Sequence, residues 1–528
     1  MSSDTDTTKT QDAAKDAAKK DPNVILPEDL PADKEHSTKG TWSFNGEKID
    51  YKATVGTLRI DTADVKPAAS IFYSMFEAVD SEGKSDASRP VTFIFNGGPG
   101  ASSTFLMMGS FGPQRIDLPD VYEGKGAPYK IVDNNEFCLL PITDLVFIDA
   151  PGAGFSILAD KAKKDLWSVD GDIAGFTTFI KNWCTKYGRW NSPKYLFGES
   201  YGTTRGSLLT LKMQQEGIAL TGACLISCIF DYSYTFDDND QYYIGYLPTY
   251  AMISQYHKKA GEGKSEEEWA QEARKFAEIY RQALSKGNRL DEDDAKAVAK
   301  KYSEMTGLPE EYLLSSSLRV PDGRFRKKVL RSEDKVVGRY DGRVSGYDTD
   351  PESADQTFIV DDAFLSPAYE ATVNDYLRRT LGWDTDKERI AFAPFDWTST
   401  VPGKGWVWTH KLPDHVKADE WGYVPFPNTL HDMCYAILQE PKLKIMLGNG
   451  YYDMATPFYQ TEYDVDHIEL PAELKGNIAL TYYKSGHMIY TVKEALTKLY
   501  SDLKKFYAAD AKDMPSIDER PAAGKLNL

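Results

Sequence analysis

The sequence predicts an α/β protein in which helices cover both faces of a mostly parallel central sheet and a mainly helical lid is inserted into the chain. Three observations predict this fold class. Short apolar segments alternate with amphipathic helices up to about residue 235. The alternation stops between about 236 and 435 and then resumes with two further apolar segments. A Gly-x-Ser-x-Gly motif at 198–202 joins an apolar strand to a helix.

On this pattern the chain divides into five segments. Residues 1–40 are polar and rich in Asp, Lys, Ala and Thr, and we predict a disordered tail there. The sheet-forming core occupies 41–235 and 436–510, and the lid occupies 236–435. Residues 511–528 form a second polar tail, and no internal repeat is visible.

Composition excludes several classes of partner. With 41% hydrophobic residues, most of the 528-residue chain should be globular. A net charge of −18 argues against nucleic acid or an anionic membrane as a partner. No apolar run is long enough to span a bilayer, and no signal peptide is visible. These features predict a cytoplasmic protein, or a periplasmic or secreted one whose leader was removed before residue 1, and leave its oligomeric state open.

The cysteines give no sign of a metal site or a disulfide framework. They are few, odd in number and scattered, and Cys224 and Cys228 lie in an apolar run without a second pair. We expect five buried free thiols, and we predict no metal and no cofactor.

The first core segment predicts most of the sheet. An alternating stretch at 41–60 carries an Asn45-Gly46 hairpin turn, and apolar strands follow. Those strands are predicted at 70–76, 91–95, 145–148, 195–198 and 222–230. A helix with apolar spacing at 173–187 is expected to begin after Asp170 or Asp172 as its N-cap.

The motif Gly198-Glu199-Ser200-Tyr201-Gly202 has the form of a nucleophile elbow. In such an elbow the serine lies on a sharp turn with its hydroxyl exposed, and side chains at either glycine would collide with neighbouring backbone. The N–H of Tyr201, at the start of the helix, would face a developing oxyanion. An ordinary strand-to-helix turn is the alternative.

A second glycine-rich stretch, at 96–103, follows the strand predicted at 91–95. Its clustered glycines would expose backbone N–H groups, as an oxyanion hole or an anion nest requires. A phosphate-binding loop fits this stretch less well, because such a loop requires a lysine after its final glycine and none is present here. A plain turn remains possible.

The two strands predicted after the lid, at 443–447 and 478–483, each end in a glycine-bearing loop. These loops supply Asp453 and His487, and an amphipathic closing helix follows at 492–506. Asp149 is a second candidate, beside Asp453, for the acidic residue that a catalytic serine and histidine require. It precedes the serine in the chain, however, so we expect it to have a structural role.

The lid is expected to contain helices at 265–284, 292–305, 310–314 and 368–381. His257, His410, His415 and His431 lie there without acid or metal spacing, which predicts surface or packing roles.

The chain order Ser200, Asp453, His487 is that of α/β-hydrolases. The motifs around these residues resemble the signature blocks of the serine carboxypeptidases, over roughly residues 42 to 507. The blocks are Asn-Gly-Gly-Pro-Gly at 96–100, Gly-Glu-Ser-Tyr at 198–201, Gly-His-Met at 486–488, and the stretch 149–156. Ile94, Ala101 and Gly202-Thr203 depart from the family pattern and indicate a divergent, bacterial-type member.

The resemblance implies roles for individual residues. Ser200 would be the nucleophile, His487 the general base and then acid, and Asp453 the group that orients the imidazole. The N–H groups of Gly98 and Tyr201 would form the oxyanion hole.

The resemblance also implies how substrate is held. Asn96, Glu199 and the N–H of Gly97 would bind the terminal carboxylate, Tyr201 would border the pocket before the scissile bond, and Met488 the pocket after it. It therefore implies a serine-type carboxypeptidase acting on peptides with a free C-terminus. The alternatives are an acyltransferase or esterase on the same triad, or a non-catalytic binding protein.

Glu199 poses a chemical problem, because a carboxylate does not readily bind another carboxylate. A protonated Glu199 could donate a hydrogen bond to the substrate's terminus. We therefore expect a raised pKa for Glu199, and peptide binding that is strongest at acidic pH.

Overall fold

The fold is built on one ten-stranded sheet in a computed structural model that describes residues 24–121, 124, 126–350, 352–413, 416, 423–508 and 514–517. The strands are β1 (Glu35–Phe44), β2 (Glu47–Ile60), β3 (Ala69–Ala78), β4 (Val91–Phe95), β5 (Arg115–Asp117), β6 (Lys130–Val132), β7 (Asp144–Ile148), β8 (Ile157–Leu158), β9 (Lys194–Glu199), β10 (Gly222–Ile226), β11 (Lys335–Val337), β12 (Ser345–Tyr347), β13 (His410–Lys411), β14 (Tyr423–Val424), β15 (Lys444–Gly450) and β16 (Ile478–Tyr483).

The helices follow the predicted alternation in the core and cluster in the inserted segment. They are α1 (Thr104–Leu106), α2 (Lys163–Leu166), α3 (Val169–Tyr187), α4 (Tyr201–Gln215), α5 (Asp240–Tyr256), α6 (Glu266–Ser285), α7 (Glu292–Thr306), α8 (Glu310–Ser315), α9 (Asp322–Lys328), α10 (Val360–Asp375), α11 (Leu430–Gln439), α12 (Phe458–Asp466), α13 (Ala472–Lys475) and α14 (Lys493–Tyr507).

The main sheet has the order β1-β2-β3-β7-β4-β9-β10-β15-β16, with β8 paired to β3. The pairs from β7 onward are parallel, and the pairs among β1, β2, β3, β7 and β8 are antiparallel. Apolar side chains of α3, α4 and α11 pack on one face, and those of α10 and α14 on the other. This confirms the predicted α/β class and its mostly parallel sheet, which is the α/β-hydrolase architecture.

The hairpin predicted at Asn45-Gly46 joins β1 to β2, and both turn residues have positive φ, 49° and 84°. β1 begins at Glu35, however, inside the segment predicted to be a disordered tail. That prediction is wrong for residues 24–40. Most side chains of β1 are exposed, so its stability comes from backbone pairing that side-chain pattern does not reveal.

Part of the polar C-terminal segment packs on the sheet. Met514 is buried, and the N–H of Leu480 donates to the carbonyl of Pro515 (3.0 Å). Residues 514–517 thus cover the edge of β16. Residues 1–23 and 518–528 lie outside the described residues.

The predicted lid is not one unit. Helices α5 to α9 share an aromatic-rich core with α12, which fits a lid. In contrast, α10 and α11 pack on the two faces of the central sheet. The predicted lid of 236–435 therefore includes parts of the core, and it ends inside α11.

The N-cap of α3 differs from the prediction. Ser168 has an extended backbone, and its Oγ accepts the N–H of Gly171 (3.0 Å). Asp170 and Asp172, the two predicted caps, bind His410 and Arg205 instead.

Candidate active site

Ser200 lies on the sharp turn between β9 and α4. Its backbone has φ 61° and ψ −130°, a conformation in which non-glycine residues are rarely found. The N–H of Ser200 donates to the carbonyl of Ile226 (3.1 Å), which ties the turn to β10. A Cβ at Gly202 would lie 2.9 Å from the carbonyl oxygen of Phe95, so the elbow geometry predicted for the glycines is confirmed.

The glycine-rich loop after β4 packs directly on this elbow. A Cβ at Gly97 would lie 2.5 Å from the backbone nitrogen of Tyr201 and 2.7 Å from the carbonyl oxygen of Glu199. Gly98 has φ +104°, which a side chain would strain. Gly98 and Tyr201 both line the cavity that Ser200 faces, so the predicted oxyanion donors border the same space.

Asp453 and His487 follow β15 and β16, and the parallel pairing of these strands brings them together. His487 Nδ1 lies 2.8 Å from Asp453 Oδ2. Asp453 is fully buried, and its carboxylate also accepts the Thr456 hydroxyl (2.7 Å) and the N–H groups of Ala455 (2.7 Å) and Thr456 (2.9 Å). Burial alone would lower the pKa of His487, but the Asp453 carboxylate outweighs it and raises that pKa.

The inserted segment holds the His487 loop in place. The N–H of His487 donates to the carbonyl of Tyr340 (2.5 Å), and the Tyr340 ring stacks on the imidazole at 5.5 Å between centroids. The N–H of Gly486 donates to Asp341 (3.2 Å), and the Ser227 hydroxyl donates to the carbonyl of His487. No sequence motif marks these contacts, which hold the His487 loop in position.

Glu199, beside the nucleophile, is a buried carboxyl. Asn96 Nδ2 donates to its Oε2 (3.3 Å), while Asn96 Oδ1 accepts the N–H of Leu106 (3.0 Å). Burial raises the pKa of Glu199 to about 7, although His487 and Tyr490 act in the opposite direction. The raised pKa predicted for this residue is confirmed, and the carboxyl can act as a donor near neutral pH.

Sequence reasoning did not find Arg205, which anchors the glycine-rich loop from α4. Its guanidinium is fully buried and pairs with Asp172 through Nε–Oδ2 (2.7 Å) and Nη2–Oδ1 (3.2 Å). Its Nη1 donates to the carbonyl of Asn96 (2.8 Å), and its guanidinium carbon lies 4.1 Å from the centroid of the Phe176 ring. The available signal was an arginine three residues after Gly202, within the helix that follows the elbow.

Asp149 has the structural contacts expected of it. Its Oδ1 accepts the N–H of Ser103 (2.8 Å), and Arg389 lies 4.0 Å from its Oδ2. It therefore fixes the end of the glycine-rich loop, whereas Asp453 contacts the imidazole.

The histidines of the inserted segment were expected to lack acidic partners, which is wrong for His410. The fold places its Nδ1 2.6 Å from Asp170 and its Nε2 3.1 Å from Asp432. Burial lowers the pKa of His410, but the two carboxylates outweigh burial and raise it to about 9. His257 contacts the carbonyl of Gly342 (2.8 Å), and His415 lies outside the described residues.

A cavity of about 530 Å³ connects these groups. Its predicted lining residues are Asn96, Gly97, Gly98, Glu199, Ser200, Tyr201, His487 and Met488. Aromatic side chains form much of the remaining wall: Tyr232, Tyr234, Phe236, Tyr242, Tyr246, Trp397, Trp408 and Phe426. The cavity therefore offers an apolar enclosure around a serine, a histidine and a carboxyl that can be neutral.

The cysteines are buried and unpaired, as predicted. Among the described residues, no group of three or more His, Cys, Asp or Glu side chains could hold a metal ion. Within the same residues, no helix is both long and apolar enough to cross a membrane.

The fold and this constellation define an α/β-hydrolase with a Ser-His-Asp arrangement. The family model of serine carboxypeptidases matches residues 46–335, more than half of the chain, so the protein belongs to the serine carboxypeptidase family.

Curated relatives match over shorter stretches. The chain is 29% identical over 133 residues to pheromone-processing carboxypeptidase KEX1 of Saccharomyces cerevisiae, which is 25% of this chain and 17% of that protein. It is 27% identical over 157 residues to KEX1 of Candida tropicalis, 29% of this chain and 20% of that protein. The chain thus spans a fifth or less of these relatives. A solved structure of the Saccharomyces cerevisiae prohormone-processing carboxypeptidase Kex1(delta)p is 16% identical, with a TM-score of 0.47 over 92% of this chain and 94% of that one.

Proposed function

We propose that this protein is a serine-type carboxypeptidase that releases the C-terminal residue of peptides through an acyl-enzyme. One observation carries the proposal: Ser200 and the Asp453-bound His487 line the same cavity as Glu199, a buried carboxyl whose pKa is raised to about 7. A hydrolase that acts on internal bonds or simple esters has no need of a neutral acid beside its nucleophile. An enzyme that binds a terminal carboxylate does.

Acylation would begin when Ser200 Oγ attacks the scissile carbonyl carbon and His487 Nε2 takes the hydroxyl proton. The N–H groups of Gly98 and Tyr201 would stabilise the oxyanion. When the tetrahedral intermediate collapses, the C–N bond breaks and His487 gives the same proton to the departing amine. Asp453 holds the imidazole through Nδ1 and stabilises its cationic form.

Deacylation would reverse these roles with water as the nucleophile. His487 takes a proton from the water as its oxygen attacks the ester carbon, then returns it to Ser200 Oγ as the ester bond breaks. During acylation, Asn96 and neutral Glu199 would hold the substrate's carboxylate. That carboxylate would help to keep Glu199 protonated.

The first test compares an N-blocked dipeptide as its free acid and as its C-terminal amide. We expect faster cleavage of the free acid and no cleavage by Ser200→Ala. Loss of Ser200 or His487 should lower kcat by roughly a millionfold, as in other serine hydrolase triads. If neither dipeptide is cleaved but an ester is, the acyltransferase or esterase alternative replaces the carboxypeptidase. Failure of a fluorophosphonate to label Ser200 would favour a non-catalytic binding protein.

A further inference from the structure

Arg339 brings a positive charge to the cavity beside His487. It lies between β11 and β12, next to Tyr340, whose ring stacks on the imidazole. Its guanidinium carbon is 5.8 Å from the centroid of that ring. The backbone is fixed on both sides, since its N–H donates to Asp361 (3.1 Å) and its carbonyl accepts the N–H of Met454 (3.1 Å).

The guanidinium of Arg339 has no counter-ion in the part of the chain that the structure describes: no carboxylate lies within 4.0 Å of it. The carboxylates in its neighbourhood are already engaged. Asp453 contacts His487, and Asp322 accepts the Tyr242 hydroxyl (2.7 Å) and pairs with Arg326 (3.1 Å). A partly buried cation without a partner lowers stability, so its presence points to a ligand.

The acidic groups on the cavity wall also have their own donors. Asp231 accepts the N–H of Ser233 (2.8 Å) and the amide of Asn428 (2.9 Å). Asp362 accepts the hydroxyl of Ser366 (2.7 Å), and burial raises the pKa of Glu199 to about 7, so about half of it is neutral at pH 7. Among the described lining residues, Arg339 is the one lysine or arginine, so it is the natural partner for a carboxylate that enters the cavity.

We propose that Arg339 binds a side-chain carboxylate of the peptide substrate, so that preferred substrates carry Asp or Glu next to the scissile bond. This inference rests on the proposed carboxypeptidase activity and adds a substrate class to it. The terminal carboxylate already has Asn96 and Glu199 as its proposed partners. The acidic side chain belongs either to the residue that is released or to the residue before it. The experiment below distinguishes these two positions.

The test uses isosteric N-blocked dipeptides that differ in one charge. Phe-Glu against Phe-Gln reports on the released residue, and Glu-Phe against Gln-Phe reports on the residue before it. A charge-assisted hydrogen bond should give about 10-fold higher kcat/KM for Glu in at least one of these pairs. Arg339→Gln should abolish the preference. Arg339→Glu should reverse it and favour Lys over Gln at the same position.

Two controls separate specificity from structural damage. Cleavage of the neutral dipeptide Phe-Leu is measured in the same Arg339→Gln protein, and the rates for the Glu and Gln peptides are divided by it, because loss of the charge near His487 changes turnover of every substrate alike. Arg379→Gln removes an exposed arginine outside the cavity and should leave every ratio unchanged. Equal rates for Glu and Gln in both pairs, or a preference that persists in Arg339→Gln, would overturn the proposal.

A readout without turnover distinguishes this inference from the carboxypeptidase proposal. Peptides bound in the cavity should protect Ser200 from a fluorophosphonate, and Glu peptides should protect better than Gln peptides only when Arg339 is present. That protection without any cleavage would refute the carboxypeptidase and support the Arg339 site. Cleavage of Phe-Leu without a preference for Glu over Gln in either readout would support the carboxypeptidase and refute the Arg339 site.

Discussion

Glu199 gives the sharpest prediction for substrate binding. If the neutral carboxyl donates to the substrate's terminus, affinity for a peptide should fall as Glu199 ionises. Glu199→Gln keeps a donor of similar size that does not titrate, so its affinity should stay nearly constant over the same pH range.

The structure sets the size of the effect. Burial raises the pKa of Glu199 from its ordinary value of 4.5 to about 7, a preference of about 3 kcal/mol for the neutral form. About 99% of the carboxyl is then neutral at pH 5, and about one tenth at pH 8. We therefore expect the dissociation constant to rise about 10-fold between pH 5 and pH 8, and about 10-fold per pH unit beyond that.

The assay is direct binding in a Ser200→Ala background, because turnover would add the titration of His487. The dissociation constant of an N-blocked dipeptide is measured from pH 5 to pH 9 with and without Glu199→Gln. The C-terminal amide of the same dipeptide is the control and should show no such dependence. The reasoning is refuted if wild-type Glu199 gives a flat profile, or if Glu199→Gln keeps the slope.

The same carboxyl makes a prediction for stability. Its pKa is higher in the folded chain than in the unfolded one, so folding binds a proton between those two values. Wild-type stability should therefore fall, relative to Glu199→Gln, as pH rises from about 4.5 to about 7. The two proteins should match at pH 4 and differ by about 3 kcal/mol at pH 8 in urea unfolding. A difference that does not change with pH would contradict the assigned pKa.

Three further perturbations follow from contacts at the site. Arg205→Met should destabilise the fold by about 3–5 kcal/mol in urea unfolding, and adding Asp172→Asn should cost less than the sum of the two changes, since the pair is buried. Gly97→Ala should lower kcat/KM about 100-fold while leaving the circular dichroism spectrum unchanged, because its Cβ would push the loop away from the elbow. His410→Gln should lose about 3 kcal/mol at pH 6, and the loss should vanish as pH rises through about 9, where the wild-type imidazole loses its charge. Unchanged activity in Gly97→Ala, or a loss of stability in His410→Gln that does not depend on pH, would refute those two arguments.

The sequence was informative where chemistry demands particular residues in particular places. The strands flanking Ser200 and the loops bearing Asp453 and His487 follow from apolar runs that end in glycine-rich turns, and the structure has β9, β15 and β16 there. The raised pKa of Glu199 was predicted from two steps: the family resemblance implies that this residue binds a carboxylate, and a carboxyl that binds a carboxylate has to be neutral.

Contacts made across long sequence separations were not predictable. Asp172 was read as a cap for α3 because it lies near the start of that helix, yet its partner Arg205 lies 33 residues further along. His410 meets Asp170 across 240 residues. The first part of β1, from residue 35 to residue 40, was not predicted, because its exposed side chains give no sign that its backbone is fully paired with β2.

The inserted segment helps to build the candidate site and does more than cover it. Asp361, at the start of α10, accepts the N–H groups of Arg339 (3.1 Å) and Asp341 (2.7 Å), which fixes the turn that carries Tyr340. The carbonyl and ring of Tyr340 in turn hold His487. Any movement that opens this turn would release the imidazole from its backbone clamp and shift the Arg339 cation at the same time. The positions of the His487 imidazole and of the Arg339 cation therefore depend on the same turn.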